Sequence, residues 1–218
     1  MAVDIKFCGL TRPADAAQVG SHGAAYAGVV LADGPRRLDP ARAVLVLEAL
    51  SPGVKRAVVF GSQPAEEIAD LARRLRLDVA QLHGDSSAAA VRDVRAALRS
   101  PTAVWAVLRV SDGSQAAAGV AELDGVADGI LLDAAVAGSL GGSGTAFDWS
   151  SFPHDARPRR STFIVAGGLT PGNVAQAIRT FQPDVVDVSS GIERTRGVKD
   201  PERMREFAQA VLHENQRV

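Results

Sequence analysis

The single cysteine of the chain, Cys8, follows the first apolar segment, where a thiol could act as a nucleophile or a base. Apolar and polar residues alternate over residues 3–7, which is the two-residue period of a β-strand. Lys6 and Cys8 therefore share one face, about 7 Å apart along an extended chain. A nearby ammonium favours the thiolate, so this spacing predicts a thiol whose pKa is lowered by Lys6. A buried, inert cysteine is the alternative interpretation.

Polar side chains also end three later apolar segments, each in phase with the period of its own segment. The apolar neighbours of these residues would point the other way and pack outward. The residues are Gln81 and His83 in the fourth segment, Asp133 in the sixth, and Asp187 and Ser189 in the eighth. Amide, imidazole, carboxyl and hydroxyl groups gathered with a thiol could bind a polar substrate and move protons.

The elements that must position these residues are predicted from the hydrophobic pattern. Eight strands are expected at residues 3–7, 26–31, 55–60, 78–82, 103–107, 129–133, 162–166 and 185–189. Apolar residues three or four apart predict helices between most of them, at 41–50, 65–75, 86–98, 116–121, 171–181 and 202–213. Helix starts are expected at Pro40, Pro64, Pro171 and Pro201, because a first turn tolerates proline.

Alternating strands and helices predict an α/β fold with a parallel sheet. Eight such units fit a single (β/α)8 TIM barrel domain over residues 1–218, whose active site would lie at the carboxyl ends of the strands. An open doubly wound sheet is the competing fold, although no Gly-x-Gly-x-x-Gly follows the first strand. The loop at 134–146 is rich in glycine and serine, and we expect it to be functional.

Two glycine-bearing turns follow the seventh and eighth strands, where barrels of this kind commonly hold a phosphate. They contain Gly167 and Gly168, and Ser190 and Gly191. Glycine lets backbone N–H groups approach an anion closely. Arg36, after the second strand, could clamp a substrate carboxylate with two parallel hydrogen bonds, or could be a solvated surface residue.

Composition excludes several function classes. The 218 residues carry a net charge of -1, so no bulk attraction to nucleic acid or to a membrane surface is expected. No apolar run is long enough to span a bilayer, and the start of the chain does not resemble a secretory signal. One cysteine excludes an internal disulfide, and four scattered histidines show no metal-ligand spacing. A cytoplasmic location, a small-molecule ligand and no metal are expected.

Taken together, the motifs resemble the phosphoribosylanthranilate isomerase family of tryptophan biosynthesis, over the whole length of the chain. The matching motifs are KFCGLT at 6–11, QLHG at 81–84, LLD at 131–133, GGSG at 141–144, FDW at 147–149, AGGL at 166–169 and DVSSGIE at 187–193. Phe7, Gly61 and Trp105 depart from the usual pattern without removing a proposed catalytic group. The chain looks like the unfused form of the family, which includes monomers and dimers.

The resemblance implies a ribulose-phosphate-binding type of barrel that performs an Amadori rearrangement without a cofactor or metal. It implies that Asp133 is the general acid and that Cys8 is the general base. Arg36 would hold the anthranilate carboxylate, the glycine turns would hold the phosphate, and Asp187 would meet the sugar hydroxyls. The stretch 141–144, including Gly142, would be a flap over the sugar. Lys6, Gln81, His83 and Ser189 would complete the substrate site.

Other functions remain as alternatives. A histidine-pathway isomerase on the same barrel would use paired aspartates after the first and fifth strands, where this chain has Cys8 and Val107. An indole-glycerol phosphate synthase would need lysines around the barrel mouth. A catalytically silent phosphate-binding barrel would be expected to lose the acid or the base, yet Cys8 and Asp133 are both present.

Overall fold

The computed structural model describes residues 2–99, 101–110, 112–133 and 149–217. Eight parallel strands pair in chain order, and the first also pairs with the last, which closes a barrel. The strands are β1 (Asp4–Phe7), β2 (Tyr26–Val30), β3 (Lys55–Phe60), β4 (Val79–Leu82), β5 (Ala103–Arg109), β6 (Gly129–Asp133), β7 (Thr162–Ala166) and β8 (Val185–Val188). The predicted TIM barrel is thereby confirmed.

Helices cover the outside of the barrel. They are α1 (Pro13–Ala16), α2 (Pro40–Glu48), α3 (Ala65–Leu75), α4 (Ala88–Ala97), α5 (Gly113–Leu123), α6 (Val174–Phe181) and α7 (Pro201–Asn215). A hairpin of β9 (Glu193–Thr195) and β10 (Val198–Lys199), which the sequence pattern does not predict, lies between β8 and α7. Among the described residues, no helix has the length and apolar composition needed to cross a membrane.

Two of the four predicted proline helix starts are confirmed, since Pro40 and Pro201 are the first residues of α2 and α7. Pro64 stands one position before α3 instead. The start at Pro171 is wrong, because α6 begins three residues later at Val174. The Asn173 side chain accepts a hydrogen bond from the Thr170 N–H at 2.7 Å and donates to the Gly168 carbonyl at 3.0 Å, which holds this segment as a turn.

The core has two main clusters, besides a small third one of Cys8, Ala32 and Val59 at the cavity. A large apolar cluster fills the space between the strands and the helices, and a smaller one fills the inside of the barrel. The inner cluster consists of Tyr26, Ala57, Val79, Trp105, Val107, Leu131, Ile164 and Val185. The rings of Tyr26 and Trp105 lie 5.0 Å apart within it. The inward-facing polar residues therefore lie at the other end of the barrel, at the carboxyl ends of the strands.

Aspartates at the amino ends of three strands hold neighbouring strands in register. Each accepts a backbone N–H from the preceding strand: Asp78 from Arg56 at 2.7 Å, Asp128 from Val104 at 2.8 Å, and Asp184 from Phe163 at 2.8 Å. Backbone donors that lack a strand partner at this edge are satisfied in this way. The end of the barrel opposite the strand carboxyl ends is therefore fixed by side chain to backbone hydrogen bonds.

Gly129→Ala tests how tightly the inner cluster is packed. A Cβ at this position would lie 2.5 Å from Trp105 Cδ1 and 2.9 Å from Ile164 Cδ1, so the buried neighbours must move. Overpacking of this kind costs about 1–3 kcal/mol, and we expect the free energy of unfolding in urea to fall by that amount. Gly172→Ala is the control, because its Cβ would meet only Thr170 Oγ1 at 3.8 Å. Equal stability of the two variants would contradict this packing.

Candidate active site

A cavity of about 1110 Å³ opens at the carboxyl ends of the barrel strands. Ten predicted site residues line it: Cys8, Arg36, Gln81, His83, Asp133, Gly167, Gly168, Asp187, Ser189 and Ser190. Two others lie just behind its wall, with Lys6 fully buried and Gly191 packed against the neighbouring turn. The predicted flap at 141–144, with Gly142, falls outside the described residues. Side chains far apart in sequence are thus brought to one opening.

Lys6 and Asp187 form an ion pair inside the barrel. Lys6 Nζ donates to Asp187 Oδ2 at 2.8 Å, and the two side chains are 0% and 6% exposed. Lys6 pairs with Asp187 in the ladder that joins β1 to β8, so the charges face each other across the closing seam. Burial alone would lower the pKa of Lys6, but Asp187 and Cys8 outweigh burial and raise it. Lys6 is therefore a fixed cation beneath the cavity.

The side chains of Cys8 and Lys6 both pack against Gly28 on β2, which has no side chain. A Cβ on Gly28 would be 3.0 Å from Cys8 Sγ and 3.3 Å from Lys6 Nζ, so glycine gives both side chains room. Burial is the largest effect on the pKa of Cys8 and raises it; Lys6 lowers it and Asp187 raises it again. The net pKa is raised, so the predicted lowering by Lys6 is wrong as a net effect. Lys6 does lower the pKa of Cys8, as expected, but its positive charge is already balanced by the carboxylate of Asp187.

Asp133 ends β6 beside Arg109, which ends β5. The two residues are register partners in the β5–β6 ladder, and both line the cavity. Burial raises the pKa of the Asp133 carboxyl, Arg109 opposes that effect, and Asp187 adds to it. The net pKa is raised, which makes Asp133 better able to hold a proton than an ordinary aspartate.

Three buried polar atoms of cavity-lining residues have no hydrogen-bond partner among the described residues. They are Gln81 Oε1, His83 Nδ1 and Asp187 Oδ1. Burial, Arg109 and Lys6 lower the pKa of His83 to about 4, so its imidazole is neutral at physiological pH. Arg109 fixes the backbone here by donating to the His83 carbonyl at 2.7 Å. Unpaired buried polar groups are costly, so hydroxyl groups of a ligand would be stabilised here.

The two predicted phosphate turns contact each other. Gly167 and Gly168 have φ of 94° and 67°, a region that glycine adopts without steric cost. A Cβ on Gly191 would lie 1.9 Å from the Leu169 carbonyl oxygen, so the turn after β8 packs directly on the turn after β7. Only glycine permits this approach. The paired turns form one wall of the cavity, with Ser189 and Ser190 beside them.

Arg36 lies at the cavity mouth, where it makes a two-pronged ion pair. Its Nε and Nη2 donate to the two carboxylate oxygens of Glu193, both at 2.6 Å. Arg36, which was predicted to bind a substrate carboxylate, thus already binds the Glu193 carboxylate through one edge of its guanidinium. The hydrogen bonds that Arg36 donates to Glu193 raise the pKa of Arg36, and it remains a cation.

Three residues of this site have no role predicted from the sequence. Arg109 continues the inward phase of Trp105 and Val107, and extending β5 by one repeat would have found it. Glu193 and Lys199 stand in the hairpin, 3.1 Å apart, and the sequence pattern identified Glu193 only as the last residue of the family motif at 187–193. Among the described residues, no group of three or more histidine, cysteine, aspartate or glutamate side chains could hold a metal ion.

Alkylation by iodoacetamide tests the charge state of Cys8, which is the only thiol. Because the pKa of Cys8 is raised, the wild-type rate should still increase with pH beyond about 8.5, the usual thiol value. Asp187→Asn removes a carboxylate that raises this pKa, so the variant should react faster at pH 8. Mass spectrometry gives both rates, and Asp70→Asn, at an exposed pair with Arg73 on α3, is the control. A wild-type rate that is already constant below pH 8 would contradict this account.

Comparison with known proteins gives consistent results. Residues 5–210 match the family described as N-(5'phosphoribosyl)anthranilate (PRA) isomerase. An N-(5'-phosphoribosyl)anthranilate isomerase from Pseudomonas aeruginosa (strain LESB58) is 39% identical over 212 residues, which is 96% of this chain and 95% of that protein.

Solved structures agree with the sequence match. The phosphoribosyl anthranilate isomerase from Thermotoga maritima superposes with a TM-score of 0.83 at 31% identity, covering 97% of this chain and 99% of that one. A phosphoribosyl anthranilate isomerase in complex with reduced 1-(o-carboxyphenylamino)-1-deoxyribulose 5-phosphate gives a TM-score of 0.82 at 30% identity, with 97% and 99% covered. This chain therefore belongs to the N-(5'-phosphoribosyl)anthranilate isomerase family.

Proposed function

We propose that this isomerase converts N-(5'-phosphoribosyl)anthranilate to 1-(2-carboxyphenylamino)-1-deoxyribulose 5-phosphate, a step of tryptophan biosynthesis, by an Amadori rearrangement. The observation that carries the proposal is one cavity lined by a thiol, a carboxyl with a raised pKa, an arginine and two glycine turns. Acid and base chemistry suffices for this isomerisation, so the proposal requires no cofactor.

Each part of the substrate has a matching part of the cavity. The turns with Gly167, Gly168 and Gly191 suit the phosphate, because their backbone can approach an anion closely. Gln81 Oε1 and Asp187 Oδ1 are buried acceptors, which suit ribose hydroxyls. Arg36 suits the anthranilate carboxylate at the mouth. We propose that the substrate spans the cavity in this order.

Asp133 is proposed as the general acid. Ring opening requires a proton on the furanose oxygen as the C1'–O bond breaks and the anilino nitrogen forms an iminium. An ordinary aspartate is almost fully ionised at neutral pH, but burial raises the pKa of Asp133 and so increases its protonated fraction. Its position at the end of β6 puts the carboxyl at the cavity surface rather than in the apolar interior.

Cys8 is proposed as the general base. Its thiolate would remove the C2' proton, and the C2'–H electron pair would neutralise the iminium to give an enolamine that tautomerises to the ketone. The raised pKa keeps most of the thiol protonated in the empty site. The cationic iminium formed beside the sulfur would favour the thiolate, since opposite charges in a buried site attract strongly. The small fraction of enzyme in which Cys8 is already ionised is therefore the form that reacts, and the iminium stabilises its thiolate until the sulfur takes the C2' proton.

These protonation states predict the pH dependence. The reactive form has Asp133 protonated and Cys8 ionised, although the pKa of Cys8 is the higher of the two. The population of that form is constant between the two pKa values and falls on either side. The kcat/KM profile should therefore be flat between them, with an acid limb set by Asp133 and an alkaline limb set by Cys8.

Residues 1–218 are proposed to act as one barrel domain in the cytoplasm, as a monomer or a homodimer. The phosphorylated small molecule is the proposed partner, with no role for nucleic acid or a membrane.

Arg109→Met tests the electrostatic setting of Asp133. Arg109 opposes the rise in the pKa of Asp133, so its removal should raise that pKa further. The acid limb of kcat/KM should then move to higher pH. Arg37→Met, which removes an exposed arginine paired with Asp33, is the control and should leave the limb in place. An acid limb that moves to lower pH in Arg109→Met would contradict the assignment.

The activity itself is tested by the loss of anthranilate-type fluorescence when N-(5'-phosphoribosyl)anthranilate is generated in situ. Wild-type protein should turn it over, and Asp133→Asn and Cys8→Ala should each lower kcat about a hundredfold or more, as expected for loss of an acid or a base. Asp70→Asn, at an exposed pair on α3, is the control. Folded wild-type protein without turnover would overturn the proposed function, and near-normal activity in either variant would overturn that residue's role.

A further inference from the structure

Glu193 holds one edge of the Arg36 guanidinium. Both carboxylate oxygens accept from Arg36, from Nε and from Nη2, at 2.6 Å. The Arg36 side chain is 21% exposed at the cavity mouth, whereas the Glu193 side chain is 5% exposed. The pair thus runs from a buried carboxylate out to a partly exposed guanidinium.

Lys199 and Arg203 hold Glu193 in place through hydrogen bonds. Lys199 Nζ donates to Glu193 Oε1 at 3.1 Å and to the Ser189 carbonyl at 3.0 Å, and the Lys199 side chain is fully buried. Arg203 Nη1 donates to the backbone carbonyl of Glu193. Burial raises the pKa of Glu193, but Arg36 and Lys199 outweigh it and hold the pKa below its usual value. A carboxylate anchored at these points is poorly placed to leave when a ligand arrives.

Gly9 leaves room for the aliphatic part of the Arg36 side chain. A Cβ on Gly9 would lie 2.5 Å from Arg36 Cδ and 2.7 Å from Ser189 Oγ, and the glycine has φ of 67°. The Arg36 side chain therefore crosses directly over bare backbone at the end of β1. Glu193 on one side and Gly9 beneath leave the guanidinium little freedom to turn.

The Arg36 guanidinium, although bound to Glu193, keeps enough N–H groups for a second two-pronged contact. Arginine has five N–H groups, and Glu193 takes one from Nε and one from Nη2. The other Nη2 hydrogen and the two on Nη1 have no acceptor among the described residues, and they suffice for a second two-pronged contact. The charges of Arg36 and Lys199 exceed that of Glu193 by one, so the cluster keeps a net positive charge.

We infer that Glu193 is a positioning residue that orients Arg36, and that through Arg36 it sets the preference for a substrate with a carboxylate on its aromatic ring. The inference rests on the proposed function. It gives Glu193 no contact with the ligand: Glu193 acts by fixing the direction of the free edge of Arg36.

Positioning and simple electrostatics predict opposite results for Glu193→Gln. Removing a negative charge beside the site should strengthen the binding of an anion if charge alone matters. If Glu193 orients Arg36, the neutral amide loses the two-pronged pair, the guanidinium turns, and the anion binds more weakly. The sign of the change therefore separates the two explanations.

The test compares two ligands by equilibrium titration. One is reduced 1-(o-carboxyphenylamino)-1-deoxyribulose 5-phosphate, and the other is the same compound without the carboxyl group. We expect Glu193→Gln to weaken binding of the first about tenfold, the size of a lost hydrogen bond to a charged group, and to leave the second unchanged. Glu202→Gln, at an exposed pair with Arg205, should bind both like wild type.

Glu193→Asp is the second variant, in case the glutamine variant does not fold. It keeps the charge, but its shorter side chain does not reach both Lys199 and Arg36, so we expect the same selective loss. Unchanged or tighter binding of the carboxylated ligand by a folded variant would overturn the inference. An equal loss for both ligands would also overturn it, because the effect would then be general. Wild-type protein that binds neither ligand would instead overturn the proposed function.

Discussion

The ion pair between Lys6 and Asp187 joins the first and last strands of the barrel beneath the active-site cavity. Two buried charges are stable only when they are paired and hydrogen-bonded, and Lys6 Nζ donates to Asp187 Oδ2 at 2.8 Å. The pair spans the β1–β8 seam, and the buried Asp187 Oδ1 has no hydrogen-bond partner among the described residues. Because Asp187 neutralises Lys6, the thiol gains less from the ammonium than its position in sequence suggests.

The residues that stabilise the barrel and those proposed for catalysis lie at opposite ends of its axis. Aspartates at the amino ends of β4, β6 and β8 hold backbone donors of the preceding strands, and the Tyr26 and Trp105 rings fill the interior above them. Inward-facing polar side chains are concentrated at the carboxyl ends. The glycine turns after β7 and β8 pack on each other at the same end, so the phosphate wall and the acid–base pair are positioned by the same strands.

Much of this arrangement could be predicted from the sequence because it depends on local patterns. The two-residue period identified the strands and put Cys8, Gln81, Asp133 and Asp187 on inward faces. Net effects of burial could not be predicted, since the pKa of Cys8 depends on a carboxylate 179 positions away in the chain.

The hairpin with Glu193 and Lys199 was missed because strands of three and two residues carry almost no periodic signal. The helix start at Pro171 failed for a related reason, since the Asn173 side chain holds that segment as a turn. Neither feature is encoded in a pattern of apolar residues.

Proton transfer at C2' is the central step of the account, and the position of hydrogen in the product tests it most directly. The reaction would be run in D2O with wild-type protein, quenched early, and the product examined by NMR at C1'. If a base removes the C2' proton and an enolamine is then protonated, one deuterium should appear at C1', whereas finished product kept in D2O over the same time should gain none. A product that carries only protium at C1', as a direct hydride shift from C2' would give, would contradict the account.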